Sequence, residues 1–168
     1  MRFFTTGLIM TLLLDNFQVT TAGDVLLANG DGTAYLNTLQ APYVEAAVSG
    51  QSMLTASNTS TETLSNYSSA QTFDGTLAPA PYTLLTSGTL DSSQLSGSVT
   101  YSTPVMFEGF DANYPYVGEM LIVGEASSAR LIAQPNAIDV MIEIYSNTTG
   151  EGTPDETIMT TWAELAGL

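Results

Sequence analysis

Nowhere does this sequence sustain a helical period for more than about ten residues. Short runs rich in Thr, Val, Ile and Tyr recur instead. Clusters of Gly, Pro, Asn and Asp separate them at roughly the 8–12-residue spacing of a sandwich, barrel or meander. Lys, a helix former, is absent, and Arg and Gln are scarce. The predicted fold class is therefore all-β: an antiparallel meander of about 10–11 strands, built as a sandwich or as an open or closed barrel. A chain of 168 residues is one domain's length, long enough for a core. The whole of 1–168 is read as a single β domain.

The first strand is expected from Thr5 to Asp15, continuing after a bend from Phe17 to Thr21. The same region resembles a short signal peptide: Met1-Arg2-Phe3-Phe4, then Leu8-Ile9-Met10 and Leu12-Leu13-Leu14, with Thr20-Thr21-Ala22 as a cleavage site. Asp15 closes the apolar run after about eight residues, too short to span a bilayer. The strand reading is preferred, no transmembrane segment is expected, and a Met set directly before a strand suggests an export signal upstream. Asn29-Gly30-Asp31-Gly32 predicts a hairpin turn between strands at Val25–Ala28 and Thr33–Leu39. Further strands are predicted at Tyr43–Val48, Met53–Ala56, Thr61–Phe73, Tyr82–Asp91 and Ser98–Ser102, with Val105–Phe107 after a break at Pro104. Gly109 to Pro115 is expected to be irregular.

The clearest meander covers 117–165. Its strands are Val117–Val123, Ala129–Ala133, Ile138–Tyr145 and Glu156–Trp162. In the third of these, Ile138, Val140, Ile142 and Ile144 share one face, and Asp139, Met141, Glu143 and Tyr145 the other. A tight turn at Gln134–Ala137 would set Arg130 opposite Met141, with Asp139 and Glu143 as diagonal ion-pair partners. Trp162 reads as core.

The chain has no His, Cys or Lys, and carries Arg2 and Arg130 against 17 carboxylates. Imidazole, thiolate and amine supply most general bases, nucleophiles and transition-metal ligands. No catalytic residues are therefore assigned, and the chain is read as non-enzymatic. Scattered Asp74, Asp91, Glu108 and Asp111 form no carboxylate pair that sequence could identify. A net charge of −15 repels nucleic acid. Ser and Thr, about a quarter of the residues, make the surface mostly neutral hydroxyl. That composition, with few cations, fits an exported protein. The crowding of carboxylates predicts that moderate salt raises the melting temperature by screening. A melting temperature indifferent to salt would contradict it.

Only calcium suits a ligand set of carboxylate and carbonyl oxygen. The candidate is the loop Asn147 to Glu156, with Asn147, Thr149, Glu151 and Asp155 as ligands. It echoes a D-x-D-G-D-G loop, and its plain alternative is a long hairpin loop. A calcium site there would make calcium more stabilising than magnesium, a difference that Asp155→Ala would abolish. No other cofactor is expected. Tyr101, Phe107, Phe110, Tyr114 and Tyr116 crowd one stretch. They form either a plug of core under a loop or a ligand-binding aromatic platform. Sequons at Asn58, Asn66 and Asn147 are at the level chance supplies in so Asn-, Ser- and Thr-rich a chain.

From Gly118-Glu119-Met120-Leu121-Ile122-Val123-Gly124, through Ala129-Arg130-Leu131-Ile132-Ala133 and Val140-Met141-Ile142-Glu143-Ile144, to Thr160-Thr161-Trp162-Ala163-Glu164-Leu165, the chain resembles a group of uncharacterised bacterial exported proteins and lipoproteins. In these a G-x-L-x-I-x-G strand, a hairpin and an acidic turn lead to a closing T-W-x-x-L. The resemblance covers roughly Tyr101 to Leu165 and implies export and a β fold, with no activity attached. The expected function is thus a structural, adhesive or binding domain at a bacterial cell surface. Two alternatives stand beside it: a carrier of a hydrophobic ligand in a barrel or clam, and a fibre subunit whose Leu8–Leu14 strand completes a neighbour's sheet. Partner classes left open are a second copy, a surface glycan and a lipid.

Overall fold

A computed structural model describes residues 8–19, 25–38, 43–56, 61–93, 97–111 and 113–167. The expected cleavage site at Thr20-Thr21-Ala22 and the sequon at Asn58 lie outside the described residues. Ten strands follow one another: β1 (Leu8–Val19), β2 (Val25–Thr38), β3 (Tyr43–Ala56), β4 (Thr61–Asp74), β5 (Pro81–Ser92), β6 (Val99–Phe110), β7 (Val117–Val123), β8 (Ser128–Ala133), β9 (Asp139–Tyr145) and β10 (Glu156–Thr161). A one-turn helix, α1 (Trp162–Leu165), ends the order. Each strand pairs antiparallel with the next, so the described residues form one ten-stranded meander sheet. β1 and β10 are its edges. The sheet is not closed into a barrel, and of the forms left open by the sequence it takes the open one. β1 pairs with β2 of its own chain.

β7 to β10 pair without a register shift. Every ladder from β1 to β7 carries at least one. Several fall on one line: between Leu14 and Phe17 in β1, between Gly50 and Ser52 in β3, between Ser65 and Ser68 in β4, and between Ser102 and Val105 in β6. Gly30 and Gly32 sit opposite the first, Gly32 faces Gly50, and Gly50 faces Tyr67. Gly88 faces Tyr101 further along the same line. Bulges and glycines at matching register give a sheet its bends, and here they form a transverse crease. Gly50 (φ 142°) and Asn66 (φ 50°) adopt the positive φ that such a line requires.

The crease explains the principal corrections to the sequence reading. Asn29-Gly30-Asp31-Gly32 is no hairpin turn; it lies in the middle of β2. The glycines supply room for a bulge, not a reversal of the chain. Tyr43–Val48 and Met53–Ala56 are likewise one strand, β3. Pro104 does not break β6: it sits where β6 holds two residues more than β5, between Ser102↔Ser87 and Phe107↔Leu84. β6 runs on to Phe110, into the stretch expected to be irregular.

The two faces of β5–β9 differ in charge. One carries Asp91, Glu108, Glu119, Asp139, Glu143 and Arg130, by the pairing register. On the other lie Leu84, Tyr101, Phe107, Met120, Ile122, Leu131, Val140, Ile142 and Ile144, and no charged residue of these five strands. We call them the acidic and the apolar face. Most of the small core sits at one end of the apolar face. Val140 is fully buried there (0 % exposed), with Phe107 and Ala133 nearly so, while buried Tyr145 lies on the acidic face at the other end. Trp162 packs edge-on against Phe107 at 6.0 Å between ring centres and stacks on Tyr114 at 6.3 Å.

Candidate functional site

The acidic face gathers the polar side chains that could do chemistry. Arg130 on β8 pairs with Glu119 on β7 through one Nη1–Oε1 contact of 2.8 Å, with side chains 26 % and 15 % exposed. The register is two residues away from the expected one. Arg130 lies opposite Glu143, and Met141 opposite Ile132. The β8–β9 loop spans 134–138, longer than a tight turn, because Asn136 Oδ1 accepts the N–H groups of Ile138 and Asp139 (3.0 Å each). Tyr145 donates to Glu143 Oε2 at 2.5 Å, and this bond, ahead of burial, pushes the phenol's pKa up. Arg130 is the one cation among the described residues, and Glu119 already neutralises it. Glu143 is occupied by Tyr145. Arg130 Nε and Glu119 Oε1 are buried with no hydrogen-bond partner among the described residues, so charge alone joins this pair.

The loop after β9 folds over this cluster. Ser128 Oγ donates to Asn147 O (2.7 Å), and Gly150 is buried near Leu121, Arg130 and Ser128. Asn147 Oδ1 accepts from Thr149 N, Thr149 Oγ1 and Gly150 N, all at 2.9 Å. Asp155 instead accepts the Ser146 N–H at the loop's mouth (2.5 Å). The structure thus joins Asn147 to Thr149 and holds Asp155 on a separate donor, while Glu151 is exposed and contributes its carbonyl to Asn147 Nδ2 (3.2 Å). Among the described residues no three of His, Cys, Asp and Glu come together to hold a metal. The Asn147 oxygen closes the turn the way an Asx turn does. Asn147→Ala is expected to cost about 1–2 kcal/mol by freeing those donors, measurable by denaturant unfolding.

The five aromatics do not form one platform. Phe107 is core, and Tyr114 covers Trp162. Phe110 stacks on Tyr116 at 5.5 Å. Tyr101 stands apart, its ring lying over Gly88 on the neighbouring strand, as Tyr82 lies over Gly109. Aromatic rings over cross-strand glycines fill the space a missing side chain leaves. Desolvation raises the pKa of both Tyr101 and Tyr82. A shallow depression nearby is lined largely by Ser68, Leu85, Thr86, Ser87 and Ser102.

The edge at β10 is partly closed by its own chain. Trp162 N–H bonds Ile138 O (3.0 Å), so Thr161 turns its N–H away from β9. Glu164 takes that N–H (3.0 Å) together with the hydroxyls of Thr160 (2.8 Å) and Thr161 (3.1 Å), while Thr161 Oγ1 accepts from Glu164 N. This capping box begins α1. The Thr160 hydroxyl first, then the two Thr161 groups, lower the Glu164 pKa. Its folded value is below its unfolded one, so the contribution is present above the unfolded pKa and lost as pH falls through the folded one. An NMR titration should find Glu164 titrating below an ordinary Glu, and moving back toward it in Thr160→Val.

The sequence missed Glu119 as the Arg130 partner, Tyr145 as the Glu143 partner, and the segregation of charge between faces. The alternation read in β9 was the available signal for the last of these. Comparison with family models, with curated proteins and with solved structures gives no match.

Proposed function

We propose that this chain is a non-enzymatic structural or binding domain of the extracytoplasmic face of a bacterial cell, working through the apolar face of its sheet. The observation that carries this is the separation of charge. The strands put their carboxylates on one side and leave Met120, Ile122, Leu131, Ile142 and Ile144 on the other, none of them fully buried. A sheet normally buries one face against a second layer. Arg130 is taken up by Glu119 and Glu143 by Tyr145, which supports a contact function over a catalytic one. The hydroxyl-rich, acidic composition and the resemblance to exported lipoproteins support the location. Protease treatment of intact producing cells tests it. Cleavage of the tagged protein before cells lyse is expected, whereas protection equal to that of a cytosolic marker would refute the location.

A further inference from the structure

Resting on that reading, we propose that the apolar face is covered by the same face of a second copy of this chain, two open sheets packing as a sandwich. Across β5–β9 this face bears no charge; the strand carboxylates nearest to it, Glu62 and Glu156, open β4 and β10 at the end away from the aromatic plug. The plug of Phe107, Tyr114 and Trp162 covers only one end. Two chains of net charge −15 can meet through such a surface without opposing carboxylates. Meeting through the other face would set Asp91, Glu108, Glu119, Asp139 and Glu143 against their own copies, with one already neutralised guanidinium between them.

The dimensions also suit a second copy. At about 4.8 Å per strand, β4–β10 span roughly 34 Å, and six residues of strand extend about 20 Å. The resulting face of about 700 Å² approaches the ~800 Å² per partner of a standard stable interface. Charge at its two ends, Glu62 and Glu156 at one and Asp111 and Glu164 at the other, gives it the polar rim of an ordinary interface.

Sedimentation and light scattering of the full chain across a dilution series test this. A particle of twice 17.7 kDa is expected at micromolar concentration and above, dissociating on dilution. Ile142→Glu, on the apolar face, should weaken it by at least about tenfold, and Met141→Glu, the next residue and on the acidic face, should not. Ile158 and Met159 provide a second pair on the edge strand, 38 % and 56 % exposed, where a charge leaves folding intact. Ile158→Glu should weaken the dimer and Met159→Glu should not, with circular dichroism unchanged. A monomer carrying a bound amphiphile in native mass spectrometry would overturn the second copy as occupant and keep the binding reading. A bare monomer at every concentration would overturn both. A dimer indifferent to Ile142→Glu and Ile158→Glu would overturn the assigned face.

Discussion

Gly118→Ala is expected to destabilise the protein by about 3 kcal/mol or more. Gly118 lies under Phe107 at the bulge where β6 and β7 slip register, between Val105↔Glu119 and Glu108↔Val117. Its φ is +132°, a conformation that side chains rarely adopt. A Cβ there would also stand 2.6 Å from the Phe107 Cα, which is backbone and cannot rotate aside. Strain and overlap act together, so the melting temperature should fall by roughly 10 °C. Gly152→Ala is the comparison: it also has positive φ, at +93°, but nothing lies within 4 Å of its Cβ. It should lose only about 1 kcal/mol. Equal losses at both positions would show that the Phe107–Gly118 contact is not what holds this end of the sheet.

The second large effect is at Trp162. Its ring is the wedge between Phe107 and Tyr114, and Val140 and Ala133 lie at the same end of the face. Trp162→Ala should cost about 3–4 kcal/mol through lost contact and the cavity left behind. Trp162→Phe should cost under about 1.5 kcal/mol, as volume is largely kept. The indole N–H is buried with no hydrogen-bond partner among the described residues, so its removal leaves no orphaned acceptor. Chemical denaturation of both variants measures the difference. A Trp162→Phe as damaging as Trp162→Ala would mean that the indole N–H has a partner in solution.

How much of this was legible follows from where the sheet is regular. β7 was read with its observed bounds, and β8 and β9 within one residue, because the ladders from β7 to β9 pair without a register shift. The bend expected near Asp15 appears as the shift between Leu14 and Phe17. β2 was lost because an Asn-Gly pair between apolar runs is a strong hairpin signal. The same glycines serve a bulged strand equally well, and only the neighbouring strands decide between the two. The Arg130 register was lost to the length of the 134–138 loop, which depends on the Asn136 hydrogen bonds. The five aromatics looked like one group because they are close in sequence. The bulges in β6 and the turn beyond Phe110 distribute them over separate neighbourhoods.

The most direct measurement of which face of the sheet is covered is the oxidation rate of individual methionines under hydroxyl-radical labelling, read by peptide mass spectrometry. Met120 on the apolar face and Met141 on the acidic face are both half-buried within the chain itself. They differ in which face they occupy. At concentrations where the chain is assembled, Met120 should oxidise several-fold more slowly than Met141, and the difference should vanish on dilution. Equal rates at every concentration, or a Met141 slower than Met120, would contradict an apolar face covered by a second copy.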